Sequence, residues 1–362
     1  MTECSMKDFY KNKKVLITGH TGFKGAWLAQ ILHLWGAKVI GVSLRPHTKP
    51  NLFSILKLDK NIKNYFVDIR DFKKIKNIFA REKPEVVIHL AAQALVRKSY
   101  DEPLLTHSTN ILGTANILEC VRASKSVKSS VIITTDKVYT PINLNGLSSS
   151  IRGTPFFKEE DPLGASDPYG SSKAAADIVA QSYIKQGVRA GIARAGNVIG
   201  GGDWGADRLI VDLARSIYEH KKPCKIRNPG SIRPWQHVLE PLAGYLILAL
   251  EIYNGNEKAI GVWNFGPYEK AHLNVGALAD MSIKLAKAGS YEIIADISKP
   301  ETAVLQLDPT KARNNIKWLP KLELEEALKI TFDWYEKFYA KKTDMVEYSN
   351  RQIEGYFGNN CK

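Results

Sequence analysis

Apolar runs of strand length alternate with stretches of helical periodicity along the first half of the chain: KVLITG, AWLAQILHLWG, KVIGVSL, YFVDI, FKKIKNIFA, EVVIHLAAQ, LLTHSTNILGTANILECVRAS and SVIITTDKVY. The strand-like runs are apolar at consecutive positions, which predicts strands covered on both faces. With helices between them, the expected fold class is α/β, a Rossmann-type doubly wound parallel sheet. The series continues through a helix opening near Tyr169 and the strand RAGIARAGNVIG, after which the pattern is less regular and richer in Gly, Pro and Trp. The chain is thus expected to divide into a dinucleotide-binding domain over 1–196 and a smaller substrate-binding α/β region over 197–362, some segments of which return to the first domain. The loosest stretch, Pro141 to Asp167, reads equally as a lid or rim and as a plain surface loop. Near the end, LELEEALKITFDWYEKFYAKK predicts an amphipathic packing helix with Leu322, Leu324, Ala327, Leu328, Ile330 and Trp334 on its apolar side.

Composition narrows the class. The chain has 362 residues, 44% hydrophobic and 24% charged, an ordinary soluble balance. Its N-terminus is polar and no apolar run approaches the roughly 20 residues of a membrane span, so a cytoplasmic protein with no membrane partner is expected. Cys4, Cys120, Cys224 and Cys361 show neither metal-ligand nor disulfide spacing, and no metal site is expected. The net charge of +14 is scattered over helix faces such as FKKIKNIFAREK, which argues against nucleic acid as a partner.

Two stretches carry candidate chemistry. In KVLITGHTGFKG, Gly19, Gly22 and Gly25 follow a strand and open a helix. Glycine lets the backbone approach a pyrophosphate there, and the free N–H groups of the helix start favour its charge. The second strand ends Val42-Ser43-Leu44-Arg45, without the acidic residue that usually binds the adenosine ribose. Ser43 and Arg45 would suit a 2′-phosphate, so the residues alone leave NAD and NADP both open. Asp68, ending the third strand, is a candidate adenine contact or an exposed turn carboxylate.

Tyr169 and Lys173 are four apart on a predicted helix and project from one face. Two other Tyr-x-x-x-Lys matches, Tyr10 with Lys14 and Tyr218 with Lys222, lie before the first strand and at a helix end. Only Tyr169 follows a buried strand that ends in hydroxyls and charges. A phenol near its usual pKa of about 10 is a poor base, but neighbouring cations favour the phenolate and make Tyr169 an acid/base candidate. Thr135, Asp136 and Lys137 end the preceding apolar run at the carboxyl edge of the sheet, where such folds bind ligands.

These motifs, with GHTGFKGAWLA, RAGNVIGGGDW, IRPWQHVLEPLAGYL and WNFGP, resemble the extended short-chain dehydrogenase/reductases and, more narrowly, the nucleotide-sugar 4,6-dehydratases. Most of that group carry Thr-Asp-Glu after the strand; Thr135-Asp136-Lys137 is similar to the branch acting on CDP-glucose. The resemblance implies bound NAD lined by Gly19, Thr21, Gly22, Phe23, Lys24, Gly25, Asp68, Ile69, Leu90, Ala91, Ala92 and Asn110, with Thr134, Tyr169 and Lys173. His20 either touches the pyrophosphate or fills the turn. It also implies a homodimer or homotetramer and an internal redox cycle serving deoxysugar and O-antigen polysaccharide synthesis. Tyr169 takes the proton of the 4-hydroxyl, a base acts at the fifth carbon, and Asp136 protonates the hydroxyl leaving the sixth.

Substrate candidates are Asn197, Arg208, Arg233, Trp235, Gln236 and His237, because a diphosphate calls for arginines and a base for a flat apolar face. Gln93 joins this set on the resemblance. An epimerase or reductase of the same fold would keep Tyr169, Lys173 and Thr135 without using Asp136 and Lys137. A non-catalytic dinucleotide-sensing or nucleic-acid-binding protein would need neither Tyr169 nor Lys173.

Overall fold

The computed structural model describes residues 3–140, 156–294 and 305–358. Seven parallel strands form the central sheet: β1 (Lys14–Thr18), β2 (Lys38–Ser43), β3 (Lys63–Phe66), β4 (Val86–His89), β5 (Ser129–Ile133), β6 (Ala190–Ala195) and, after the short strands β7 (Val198–Ile199), β8 (Cys224–Ile226), β9 (Ile232–Pro234) and β10 (Gln236–His237), β11 (Gly261–Phe265). Their order is β11-β6-β5-β4-β1-β2-β3. The order reverses between β1 and β4, and the carboxyl ends of those strands border the crevice where doubly wound sheets take ligands.

Alternation along the strands divides the core. Val15, Ile17, Val86, Ile88, Val131 and Ile133 face the helices Phe23–Leu34 and Leu239–Tyr253. Leu16, Val87, Ile132 and Ile192 face the helices Phe72–Glu82, Gly113–Ala123 and Pro168–Lys185. Burying a side chain of this kind stabilises by about 1.5–3 kcal/mol, so both strand faces are committed to packing and the polar chemistry is left to the strand ends. The predicted strand YFVDI is shifted: β3 starts earlier and ends at Phe66. Val67 still donates to the Ser43 carbonyl at 2.9 Å, but Asp68 then turns the chain by accepting the Arg70 N–H at 2.9 Å.

Three two-stranded pieces come from the later sequence: β7 with β10, β9 with β12 (His272–Asn274), and β8 with β13 (Tyr291–Ile293). The predicted C-terminal helix spans Leu324–Ala340 and buries Leu324, Ala327, Leu328 and Trp334, together with Thr331, Phe332 and Tyr335, while Leu322 and Ile330 are half-buried. Of the Pro141–Asp167 stretch, residues 141–155 lie outside the described residues. Phe157 beyond them stacks on Tyr139, ring centroids 4.7 Å apart. No helix among the described residues is long and apolar enough to cross a membrane, and they hold no His, Cys, Asp and Glu grouping fit for a metal ion.

Candidate active site

Contacts that exclude side chains shape the glycine turn after β1. Gly19 has φ +77°, and a Cβ on it would lie 2.8 Å from the Ala91 nitrogen; one on Gly25 would lie 2.1 Å from the Gly19 carbonyl oxygen. Gly22 caps the helix Phe23–Leu34 with no side-chain acceptor, and the first turn has no acidic residue. Its N–H groups and positive dipole end are therefore left for an external anion, which fits the diphosphate of a dinucleotide.

Around this cradle several predicted contacts are internal to the protein. Thr21 donates to the Leu44 carbonyl at 2.9 Å, so the Ser43 hydroxyl, 2.8 Å away, donates to Thr21. Arg45 lies over the Phe66 ring at 4.4 Å. His20 is fully buried and fills the turn from behind, its ring occupying the space that a Cβ on Gly41 would need. Asn64 Nδ2 donates to the Leu58 and Ile62 carbonyls, so its Oδ1, 2.9 Å from His20 Nε2, accepts the imidazole proton. Burial pushes His20 down to about 4.

Asp68 is gripped by Arg70, Nη2 to Oδ2 at 2.6 Å, which holds its carboxyl below the usual range. Ile69 is buried, against Gly113. Leu90, Ala91 and Ala92 are half-buried after β4. Asn110 lies in a π-helical turn, Ser108–Leu112, a local irregularity that often marks functional sites. Its amide nitrogen donates to the Gln93 carbonyl at 3.0 Å and to Ser172 Oγ at 2.8 Å, and its Oδ1 accepts the Gln93 N–H at 2.8 Å. The Gln93 side chain closes its own loop onto Leu95 and Thr106.

The catalytic candidates converge past β5. The helix Pro168–Lys185 is started by Pro168 at its first position and by Asp167, which accepts the Gly170 N–H at 2.8 Å. This places Tyr169 and Lys173 one turn apart, with Lys173 Nζ donating to the Ile133 carbonyl at 2.6 Å. Thr135 donates to Asp136 Oδ1 at 2.9 Å, and its hydroxyl neighbours the Tyr169 phenol. Asp136 is 2% exposed, and its Oδ2 has no partner among the described residues. Thr134 instead donates to Asp177 at 3.1 Å.

Electrostatics set this cluster apart. Burial, then repulsion from Arg208, brings Lys24 down to about 8; burial, then Lys24, brings Lys173 to about 8. Burial lifts Tyr169 to about 12, with Thr135 and Arg208 opposing. Burial also raises Asp136 against the pull of Lys137, Arg233 and Lys24. Three cations, Lys137, Arg233 and Lys24, thus act on this one carboxylate, a clustering of shifted groups that marks a site rather than a packed core.

The second region divides. Arg208 pairs with Asp203 and acts on Tyr169 and Lys24, and Arg233 acts on Asp136. Asn197 is half-buried, its carbonyl holding the Gln236 N–H at 3.1 Å. Trp235, Gln236 and His237 are buried, Trp235 donating to the Leu273 carbonyl at 3.0 Å and Gln236 to that of Phe265 at 2.9 Å. His237 Nε2 has no partner among the described residues, and burial brings this side chain to about 3.

Sequence reading passed over His89, Asp177, Arg194 and Asp203. Thr114 donates to the Asn110 carbonyl at 2.6 Å and so accepts from His89 Nε2 at 3.0 Å. Nδ1 of the neutral ring then accepts from Thr18 at 2.6 Å, and Thr18 in turn accepts the Ala91 N–H at 3.1 Å. One buried histidine therefore joins β1, the loop after β4 and the Asn110 turn. The available signal was a lone polar residue in an apolar run, His89 in EVVIHLAAQ and Arg194 in GIARAG.

This sheet order, with a glycine turn at the switch point and a Tyr-Lys pair beside a Thr-Thr-Asp turn, is the architecture of the extended short-chain dehydrogenase/reductases. Residues 16–331 match the family described as GDP-mannose 4,6 dehydratase, and the chain belongs to this family of nucleotide-sugar dehydratases. It is 41% identical over 361 residues to the CDP-glucose 4,6-dehydratase of Salmonella typhimurium, covering 97% of this chain and 98% of that protein. It is 28% identical over 344 residues to the dTDP-glucose 4,6-dehydratase of Haemophilus influenzae, covering 89% and 97%. The solved dTDP-glucose 4,6-dehydratase of Bacillus anthracis, in complex with NAD, superimposes with a TM-score of 0.74 at 23% identity, over 90% of this chain and 97% of that one.

Proposed function

We propose that this enzyme converts CDP-D-glucose to CDP-4-keto-6-deoxy-D-glucose with loss of water, as an NAD-dependent hydro-lyase. The carrying observation is a buried carboxylate, Asp136, with one oxygen unpartnered among the described residues, bonded to Thr135 beside Tyr169 and acted on by Lys137, Arg233 and Lys24. An epimerase needs the tyrosine but not this carboxylate. A bound NAD would supply a hydride acceptor for the fourth carbon and a hydride donor for the sixth. Gly19, Thr21, Gly22, Phe23, Lys24 and Gly25 would hold its diphosphate, with Asp68 toward the adenine.

Tyr169 takes the proton of the 4-hydroxyl, with Lys173 beside it favouring the phenolate. The resulting ketone acidifies the fifth carbon, where Lys137 acts as base. Asp136, through its Oδ2, protonates the hydroxyl leaving the sixth carbon. Lys137 returns its proton to the fifth carbon, so each cycle adds a proton to Tyr169 and takes one from Asp136, and the Thr135 hydroxyl, bonded to Asp136 and beside Tyr169, would pass it back. Arg208 and Arg233 take the substrate diphosphate, and Asn197 the sugar side. A homodimer through the helices Gly113–Ala123 and Pro168–Lys185 is part of the reading, supported by the exposed apolar side chains Leu112 and Ile178, 60% and 57% exposed.

Mass spectrometry of the products from a panel of nucleotide-glucose compounds tests the reading. Loss of water from CDP-glucose is expected. Loss from another nucleotide alone reassigns the base, and a stereoisomer of unchanged mass makes the protein an epimerase.

A further inference from the structure

The segment Thr134–Tyr139, which holds Thr135, Asp136 and Lys137, is tied at both ends to one buried ion pair. Arg194 of β6 meets Asp177 of the helix Pro168–Lys185 in a two-pronged contact, Nε to Oδ2 and Nη2 to Oδ1 both at 2.9 Å, with side chains 1% and 0% exposed. At one end of the segment the Thr134 hydroxyl donates to Asp177 Oδ2 at 3.1 Å. At the other, Arg194 Nη1 donates to the Tyr139 hydroxyl at 2.9 Å, and its guanidinium carbon lies 4.8 Å from the centre of that ring. Further bonds surround the pair: Gln181 donates to Asp177 Oδ1 at 2.8 Å, Arg194 Nη1 also reaches the Glu159 carbonyl at 3.1 Å, and Tyr139 donates to Asn264 Oδ1 at 2.7 Å. Asp177 follows Tyr169 and Lys173 at four-residue intervals, so the same helical stripe carries both the reacting pair and its anchor.

We propose that Asp177 and Arg194 are positioning residues that hold the Thr135-Asp136-Lys137 turn at a fixed distance from Tyr169 and Lys173. This rests on the dehydratase reading above. Such a pair is a weak source of stability, since matched apolar residues often replace a buried ion pair without loss. What apolar side chains cannot reproduce is the pair of directed hydrogen bonds to Thr134 and Tyr139. Asp177 has a second effect, on Lys173, whose ammonium is faced by Lys24 and His89 from other elements and by Tyr169 and Asp177 from its own. Asp177 opposes the lowering that burial and Lys24 impose on Lys173.

The test uses the full chain as Asp177→Asn and as the double variant Asp177→Leu with Arg194→Met. In Asp177→Asn, turnover should fall roughly ten- to a hundredfold, the range of a displaced catalytic group, with KM for CDP-glucose little changed. The alkaline limb of its rate profile should move to lower pH, because Lys173 loses its stabilising anion. The double variant should melt near the parent temperature yet keep the turnover loss, and its amides over 134–139 should exchange faster with deuterated water. A double variant with parent turnover and parent exchange at 134–139 overturns the proposal. Exchange is read without substrate, so a parent protein that fails to dehydrate CDP-glucose refutes the functional reading and still leaves the anchoring tested.

Discussion

At the scale of single residues, the proposed proton traffic depends on a few groups whose surroundings oppose their task. Tyr169 rises to about 12 in the protein alone, so its use as a base requires the cations that the loaded site brings near it. Tyr169→Phe should keep the fold and lower turnover by the hundred- to ten-thousandfold typical of a lost acid/base group, measured as ketone formation. Lys137→Met should still reduce the cofactor but stall before elimination. Reduced cofactor, seen by its near-ultraviolet absorbance, should then accumulate on mixing with CDP-glucose; dehydration at the parent rate would leave Lys137 a positioning group. Lys24 gives a stability prediction. Its folded value of about 8 lies below the ordinary 10.5, so between these values the unfolded chain binds more protons and stability rises with pH. The charged Lys24 is therefore a burden below pH ~8. Lys24→Met should be more stable than the parent at pH 7 by urea unfolding, and the gap should close as pH approaches 10.5. A gap that widens with pH would falsify the buried-cation account.

At the scale of elements, the glycine turn and the helix it opens act as one unit. A methyl on Gly25 would come within 2.1 Å of the Gly19 carbonyl oxygen, backbone against backbone, so the turn must open to admit it. The parent protein purified without added cofactor is expected to release NAD on denaturation, and Gly25→Ala to release none while retaining parent-like circular dichroism. Release of NADP alone would mean that Ser43 and Arg45 leave their present partners to meet a 2′-phosphate. The helix Pro168–Lys185 is the second such unit: its Asp167 cap fixes the start of the helix just before Tyr169, and two turns on Asp177 joins it to β6 through Arg194.

At the scale of the whole molecule, the exposed Leu112 and Ile178 lie on the side of the sheet covered by the helices Gly113–Ala123 and Pro168–Lys185. If the proposed dimer forms there, Ile178→Arg should shift the protein toward a monomer in sedimentation, since a charge directed into a symmetric contact appears twice. An unchanged sedimentation coefficient would move the interface elsewhere. The excess positive charge of +14 also acts at this scale, attracting a doubly anionic nucleotide sugar over distances that salt screens.

The sequence by itself determined the doubly wound sheet, because short runs of consecutive apolar positions alternate with stretches of helical periodicity, as strands buried on both faces and their crossover helices do. It also determined the glycine turn, the Tyr169-Lys173 pair and the Thr135-Asp136-Lys137 run, because each depends on spacing within a single element. Contacts between elements had no such signature. The contacts of His20 with Asn64 and Gly41 come from distant segments, and the inward orientation of Gln236 and His237 comes from the packing of β10 on β7. The registration of β3 was misread because a turn stabilised by Arg70 resembles a strand end in one dimension. Asp177 and Arg194 are 17 residues apart and meet only when the catalytic helix lies against β6. Tertiary structure alone decided these points, because a buried polar side chain is chosen for partners that the chain brings near only after it has folded.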